Sequence, residues 1–244
     1  MIGCACKVCK SNDPRNNRTR SSIFIETSEV GILVDSGPDL REQALREGLT
    51  SLDAVLYTHS HLDHVAGFDE LRAFCWGKPE PLPLHATASC LGVLKNMFSW
   101  AFHEDNTHKG YVKPSPRVIT LVEFCIGDLL IRPLPVLHGT VETVGFLFET
   151  KKGSRFAYLP DVKLIPESTQ KLMKNLDLLI IDSLRDAPHA THFAVSDALA
   201  ISEKISPQQT LFTHISHDLD HAELAKRLPQ SISPAYDGLQ VSLV

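Results

Sequence analysis

Residues 58–67 read Thr-His-Ser-His-Leu-Asp-His-Val-Ala-Gly, and the reading of this stretch decides the fold. Four ligand-type side chains, His59, His61, Asp63 and His64, fall within six residues. His59 and His61 lie two apart on an extended chain, so both imidazoles project from the same side and can grip one ion. Asp63 and His64 follow at the expected first turn of a helix, displaced enough to reach a second ion. A solvated polar loop would not call for four such residues in one place. Just upstream, Ser51 to Thr58 (SLDAVLYT) reads as a buried strand. The cluster therefore sits at a strand's carboxyl end, where layered α/β architectures build ligand sites.

Working outward, Ser21 to Val34 alternates and then runs apolar around Glu29-Val30-Gly31, a hairpin of two strands. Helix formers over residues 39–48 stop at Gly48, residues 63–75 have helical spacing, Leu82–His85 reads as a strand, and a helix is expected around Ser89–Phe98. Residues 99–116 have no clean period; Trp100, Phe102 and Tyr111 mixed with His103 and His108 suggest a lid or arm, or ordinary packing. Strands dominate from Val118 to Tyr158 (VITLVEF, DLLIRPLPV, TVGFLFET, SRFAYLP). A helix near 166–174, a strand at Leu178–Asp182, a helix over 194–204 and a strand at Gln209–Thr213 follow. Strands precede helices, and the order repeats in the second half. The fold class expected is therefore α/β, an αββα four-layer sandwich over residues 1–244 as a single domain, rather than an alternating doubly wound fold.

Composition narrows the partners. A formal charge of −5 and an apolar fraction of 43% describe a mildly acidic globular protein, without the broad basic surface that draws a phosphate backbone. Nucleic acid is not the expected partner. No window approaches the roughly 18 apolar residues of a membrane span, and the start MIGCACKVCK has no hydrophobic targeting region. Six cysteines, three of them in Cys4-Ala-Cys6-Lys-Val-Cys9, read as metal ligands in a reducing compartment, so the cytoplasm is expected. Cys75, Cys90 and Cys125 sit among apolar residues and are expected in the core. Arg15, Arg18 and Arg20 either form an anion site or tie the amino-terminal strap down.

Four ligands do not complete two ions, and apolar strands that end abruptly in His or Asp are the places to find more. Three such ends exist: Val136-Leu137-His138-Gly139, Tyr158-Leu159-Pro160-Asp161 and Phe212-Thr213-His214. Each alone would read as a core or capping residue. Together, after the first cluster, they read as ligands.

In this order the residues resemble the metallo-β-lactamase superfamily along essentially the whole chain: an HxHxDH element, a lone His, a bridging Asp and a final His. The resemblance implies that His59, His61 and His138 hold one ion, that Asp63, His64 and His214 hold the other, and that Asp161 bridges them. Within the superfamily, the opening GCACKVCKSNDPRNNRTRSS, Thr213-His214 with His217, and the late Ala235-Tyr236-Asp237-Gly238 are similar to the PhnP group of phosphodiesterases. That likeness implies a structural zinc on Cys4, Cys6, Cys9 and His217 in a strap over residues 1–20. Three thiolates so close together need a fourth ligand to close a tetrahedral site, and on that ground alone His221 competes with His217.

Two divalent ions, zinc, manganese or iron, would activate a bridging water and neutralise charge on the attacked centre. The likeness implies hydrolysis of a small or cyclic phosphodiester, ribose or nucleotide-like, with Asp63 and His192 as the catalytic side chains. His192 lies in Pro188-His189-Ala190-Thr191-His192-Phe193, placed like the mobile histidine of related phosphodiesterases, where it would protonate the leaving oxygen. Capping of the next helix by Thr191 or His192 is the bland alternative. Two other functions compete: a tRNA 3′-end-type ribonuclease, disfavoured by the acidic charge and by only two lysines in residues 99–116, and a low-turnover metal-binding accessory protein. A homodimer is compatible with each.

Overall fold

Alternation in Ser22-Ile23-Phe24-Ile25-Glu26 makes β1 (Ile23–Glu26), which pairs antiparallel with β2 (Gly31–Val34) in the computed structural model, which describes Met1–Leu243. These strands belong to the first of two units, Arg20–Pro133; the second joins Met1–Thr19 to the chain from Leu134 onward.

In the first unit, α1 (Leu40–Glu47) ends where Gly48 turns to φ +67°, a left-handed value that glycine adopts without strain. β3 (Ala54–Leu56) is short and wholly buried, and runs parallel to β2. The helix expected over residues 63–75 is broken into α2 (Leu62–Val65), a single-turn 3₁₀ helix at Phe68–Leu71 and α3 (Arg72–Cys75). The break has a cause. Gly67 donates its N–H to Ser36 O at 2.9 Å, and a Cβ there would lie 2.0 Å from Gly37 O, so the chain leaves the helical path to pack backbone on backbone. β4 (Leu82–Ala86) adds parallel to β3, and α4 (Ala88–Met97) starts under a cap in which Thr87 Oγ1 accepts Cys90 N–H at 3.3 Å.

Residues 99–116 are partly packed into this unit. α5 (Ser99–Phe102) buries Ala101, the side-chain amide of Asn106 donates to the carbonyls of Ala101 and Val112, and β5 (Pro114–Val118) adds parallel to β4 as the sheet edge. The strand expected over 118–124 does not form: Thr120 Oγ1 accepts Val122 N–H at 3.3 Å and turns the chain. Only β6 (Phe124–Ile126) remains, pairing antiparallel with the start of β7 (Leu129–His138). Alternation on β6 leaves Cys125 exposed, which corrects the expectation that it lies in the core; Cys75 and Cys90 are buried. Leu33, Val55, Tyr57, Phe68, Leu84 and Leu94 centre the core of this unit.

The second unit continues β7 with β8 (Val141–Thr150), β9 (Arg155–Leu159), α6 (Glu167–Leu172), β10 (Leu178–Asp182), α7 (Val195–Ile205), β11 (Gln209–Thr213), α8 (His221–Arg227) and β12 (Ile232–Pro234). Its strands run in the order β12-β11-β10-β9-β8-β7. β8 and β9 pair antiparallel, while β9 to β12 are all parallel. The parallel run explains why LLIID and TLF are apolar without alternation, since helices cover a parallel sheet. Registers Ile181↔Leu159 and Asp182↔Thr213 bring the carboxyl ends of β9, β10 and β11 to one edge. Phe212, Leu179, Ile181, Leu159 and Met173 are the centre of this core. Among the described residues no helix is long and apolar enough to cross a membrane.

Candidate metal centre

Each unit carries a set of ligand-type side chains at the carboxyl edge of its sheet, and His59, His64 and His138 are each held by a partner on Nδ1. In the first unit the chain leaves β2 through Asp35, a buried residue at φ +65°. Its Oδ1 accepts Thr58 N–H at 2.8 Å, and its Oδ2 accepts Thr58 Oγ1 and His64 Nδ1, each at 2.8 Å. Thr58 Oγ1, having given its proton to Asp35, accepts from His59 Nδ1 at 3.0 Å. Nδ1 is therefore the protonated nitrogen of both His59 and His64, and Nε2 carries the lone pair that a metal needs. His59 Nε2 lies 2.9 Å from His61 Nδ1, a separation that two nitrogens at about 2.0–2.1 Å from one ion reach at an angle near 90°, as in coordination numbers above four. Asp63 Oδ2 lies 3.8 Å from His64 Nε2. Burial pushes the Asp35 carboxyl above the ordinary range, opposed by His64 and the Thr58 donors. Gly37 permits the arrangement: a Cβ there would lie 2.4 Å from Asp63 O.

In the second unit His138 ends β7 and donates Nδ1–H to Thr191 O at 2.8 Å, which again leaves the lone pair on Nε2. That Nε2 is 3.7 Å from Asp161 Oδ1, and His214 Nε2 is 3.5 Å from the same oxygen. Both distances are too long for hydrogen bonds and suit neighbouring ligands around metal ions. Asp161 is almost wholly buried, and His214 is held at φ +55°, a left-handed conformation costly for a residue with a Cβ.

His192 stands beside this set, its ring stacked on that of His214 at 4.8 Å and edge-on to that of His138 at 4.6 Å. Its Nδ1 is committed to Asp182 Oδ2 at 2.8 Å, so Nε2 is its working nitrogen. Asp182 also accepts Val162 N–H at 3.0 Å and Phe193 N–H at 3.3 Å on the same oxygen; burial raises its carboxyl above the ordinary range, opposed first by His192. The cap of α7 is Ala194, so neither Thr191 nor His192 is spent on capping that helix. Asp35, Thr58, Asp182 and the Thr191 carbonyl were not found by the sequence reading. The signal for the two acids was present, since Leu33-Val34-Asp35 and Ile180-Ile181-Asp182 are apolar runs ending in Asp.

At the amino terminus Cys4 and Cys6 Sγ each lie 3.6 Å from His217 Nδ1. The donor atoms of Cys4, Cys6, Cys9 and His217 are all within 4.8 Å of one another. A tetrahedral zinc at about 2.3 Å from sulfur and 2.0 Å from nitrogen sets S···N edges near 3.5 Å, so the set fits. The Cys6 thiol is pulled down to about 6 by the Cys9 N–H and then by His217. His221 is engaged elsewhere, its Nδ1 3.2 Å from Arg18 Nη2. Arg18 also donates to Ala235 O, and Arg15 is paired with Asp13 at 2.8 Å, so both are occupied within the strap's own unit; Arg20 belongs to the other unit.

The sequence matches the family model described as Beta-lactamase superfamily domain over residues 31–215. A protein of Porphyromonas gingivalis named Octanoyltransferase is 35% identical over 98% of this chain, which spans about half (48%) of that relative's length. Coenzyme PQQ synthesis protein B of Methylobacterium nodulans is 30% identical over 73% of the chain and 66% of its own. Among solved structures, one described as a new diphosphatase from the PhnP family superposes with a TM-score of 0.90 at 36% identity, covering 98% of this chain and 89% of the other. The chain accordingly has the metallo-β-lactamase fold and belongs to that superfamily as a PhnP-like member.

Proposed function

We propose that the chain is a metal-dependent hydrolase of small or cyclic phosphodiesters. In this reading His59, His61 and His138 hold one divalent ion, Asp63, His64 and His214 a second, and Asp161 bridges them, with Cys4, Cys6, Cys9 and His217 on a structural zinc. The observation that supports it is the common tautomer of the imidazoles: His59, His64 and His138 each direct Nδ1–H to a fixed acceptor, so that Nε2 carries the lone pair. Histidine and carboxylate donors suit zinc, manganese or iron. When bound, such a pair of ions supplies Lewis acidity and a water of lowered pKa.

The side chains do the rest. Asp35 and Thr58 hold His59 and His64 in one tautomer, and Asp161 brings its buried carboxyl group to the centre. Asp182 orients His192 through Nδ1, and His192 gives its Nε2 proton to the departing alkoxide. The oxygen of water bonds to phosphorus, one P–O ester bond breaks, the leaving alcohol carries off the His192 proton, and the proton shed by the water returns through solvent to His192. A carboxylate-held histidine beside a set of imidazole and carboxylate ligands suits phosphoryl transfer, and a protein of similar fold is described as a diphosphatase of the PhnP family.

The test is a panel offered to the metal-loaded protein: bis-p-nitrophenyl phosphate, 2′,3′-cyclic nucleotides, a ribose cyclic phosphate and an octanoyl thioester. Turnover of the phosphodiesters is expected. Turnover of the thioester alone would overturn the reading, and would turn attention to the octanoyltransferase relative.

A further inference from the structure

The strap that carries the three cysteines belongs to the same unit as β11 and grips the stretch that follows that strand. His217, which the Cys4 and Cys6 sulfurs approach to 3.6 Å, stands three residues beyond His214. Asn16 spends both ends of its side-chain amide there: Nδ2–H donates to Asp220 Oδ2 and Oδ1 accepts His221 N–H, each at 2.8 Å. Arg18 sets Nη2 at 3.2 Å from His221 Nδ1 and also donates to Ala235 O, and Ala235 N–H in turn donates to Phe212 O of β11 at 2.8 Å. Between His214 and His217, Ile215 is buried and Ser216 N–H donates to Leu184 O at 2.9 Å.

His214 sits just before this clamped stretch, at φ +55°. A residue with a Cβ leaves that conformation for the right-handed or extended region unless its neighbours hold it. Thr213 to Ser216 contain no glycine to relieve it. The left-handed turn is what aims the imidazole, with Nε2 3.5 Å from Asp161 Oδ1 and the ring stacked on that of His192 at 4.8 Å. We propose that the strap positions His214: by holding residues 217–221 it keeps the left-handed turn in place, so that zinc on Cys4, Cys6, Cys9 and His217 tightens binding of the ion that His214 holds. The inference rests on the ligand assignment proposed above. Coupling of this kind is reciprocal, so the ion at His214 tightens the strap zinc by the same factor. The ion on His59, His61 and His138 has no ligand in the clamped stretch and is little affected.

Metal-free protein is titrated with cobalt(II) against a chelator. Cobalt on thiolates shows a sulfur-to-metal charge-transfer band that cobalt on histidine and carboxylate lacks, so strap and catalytic steps are read apart. The step that belongs to His214 is the one that His214→Ala abolishes. His217→Ala is expected to weaken that step by about tenfold, as when the competent conformation falls to about a tenth of the population, and the other catalytic step by less than about twofold; excess metal still fills both. His217→Cys restores a tetrahedral thiolate site and is expected to return the His214 step to within about twofold of wild type. Asn16→Ala keeps every zinc ligand but frees Asp220 and His221, and is expected to weaken the His214 step by about threefold with the charge-transfer band retained. A His214 step unchanged in His217→Ala or in Asn16→Ala, an equal fall in both catalytic steps, or no recovery in His217→Cys overturns the proposal. Failure of the ligand assignment looks different: a wild type that binds cobalt in the strap alone, which removes the ground for both.

Discussion

Replacing Asp182 by Asn isolates the role given to His192. The side chain keeps its shape and loses its charge at a fully buried position, where no water can take over. The bond at stake is His192 Nδ1–H to Asp182 Oδ2 at 2.8 Å. A hydrogen bond to a charged group contributes about 1.5–3 kcal/mol, which at about 1.4 kcal/mol per decade is a fall of roughly 10- to 150-fold in a step that needs imidazolium. Val162 and Phe193 N–H groups demand the same oxygen, so the Asn carbonyl has reason to stay on that side and the fold to persist. The assay compares kcat for a nucleoside 2′,3′-cyclic phosphate, whose leaving group is an alkoxide, with kcat for bis-p-nitrophenyl phosphate, whose leaving group needs little protonation. The first is expected to fall by the stated factor and the second by less than about threefold, with the thermal midpoint monitored as a control on folding. Equal falls on both substrates, or no fall on the first, would refute the assignment of His192 as proton donor through Asp182.

Further predictions follow from the same contacts. Asp35→Asn removes the acceptor that holds His64 and, through Thr58, His59, and is expected to weaken metal binding by about 10- to 100-fold in a chelator competition. His217→Ala is expected to release the zinc of the amino-terminal site while His221→Ala retains it, read by metal analysis of each variant; zinc loss in His221→Ala alone would reverse the assignment. In metal-free protein the lowered pKa of Cys6 favours its thiolate, so alkylation of Cys6 is expected to persist on acidification to a midpoint near pH 6, whereas an ordinary thiol becomes unreactive well above that, and a midpoint above about 8 contradicts the contact with Cys9 N–H and His217.

The candidate ligands stand out in the sequence because metal chemistry concentrates such side chains. His59, His61, Asp63 and His64 announce themselves in six residues, and His138, Asp161 and His214 close apolar strands that could otherwise have run on. Asp35 and Asp182 close strands in the same way and were passed over, because their partners lie far along the chain: Asp35 on Thr58 and His64, Asp182 on His192. Orientation of a ligand by a neighbour depends on which segments meet, and that is decided by sheet order. The strands β9 to β11 came within a residue or two of their expected bounds, since buried parallel strands are continuous apolar runs. By contrast the edge elements escaped. β12 is three residues long, β5 begins at Pro114 and carries Pro116, which reads against a strand, and α8 is seven residues whose signal was the cap alone, Asp220 Oδ1 accepting Ala222 and Glu223 N–H. The helix lost at Gly67 shows the converse, a good local period overridden by close packing on Ser36 and Gly37.

The central claim is a dinuclear centre with a separate zinc in the strap, and metal content per chain tests it most directly. Elemental mass spectrometry of the protein purified without chelator is predicted to find close to three ions per chain, with Cys6→Ser losing one as zinc and Asp161→Ala losing ions without loss of that zinc. A wild-type chain whose only bound metal is the cysteine zinc would contradict the account.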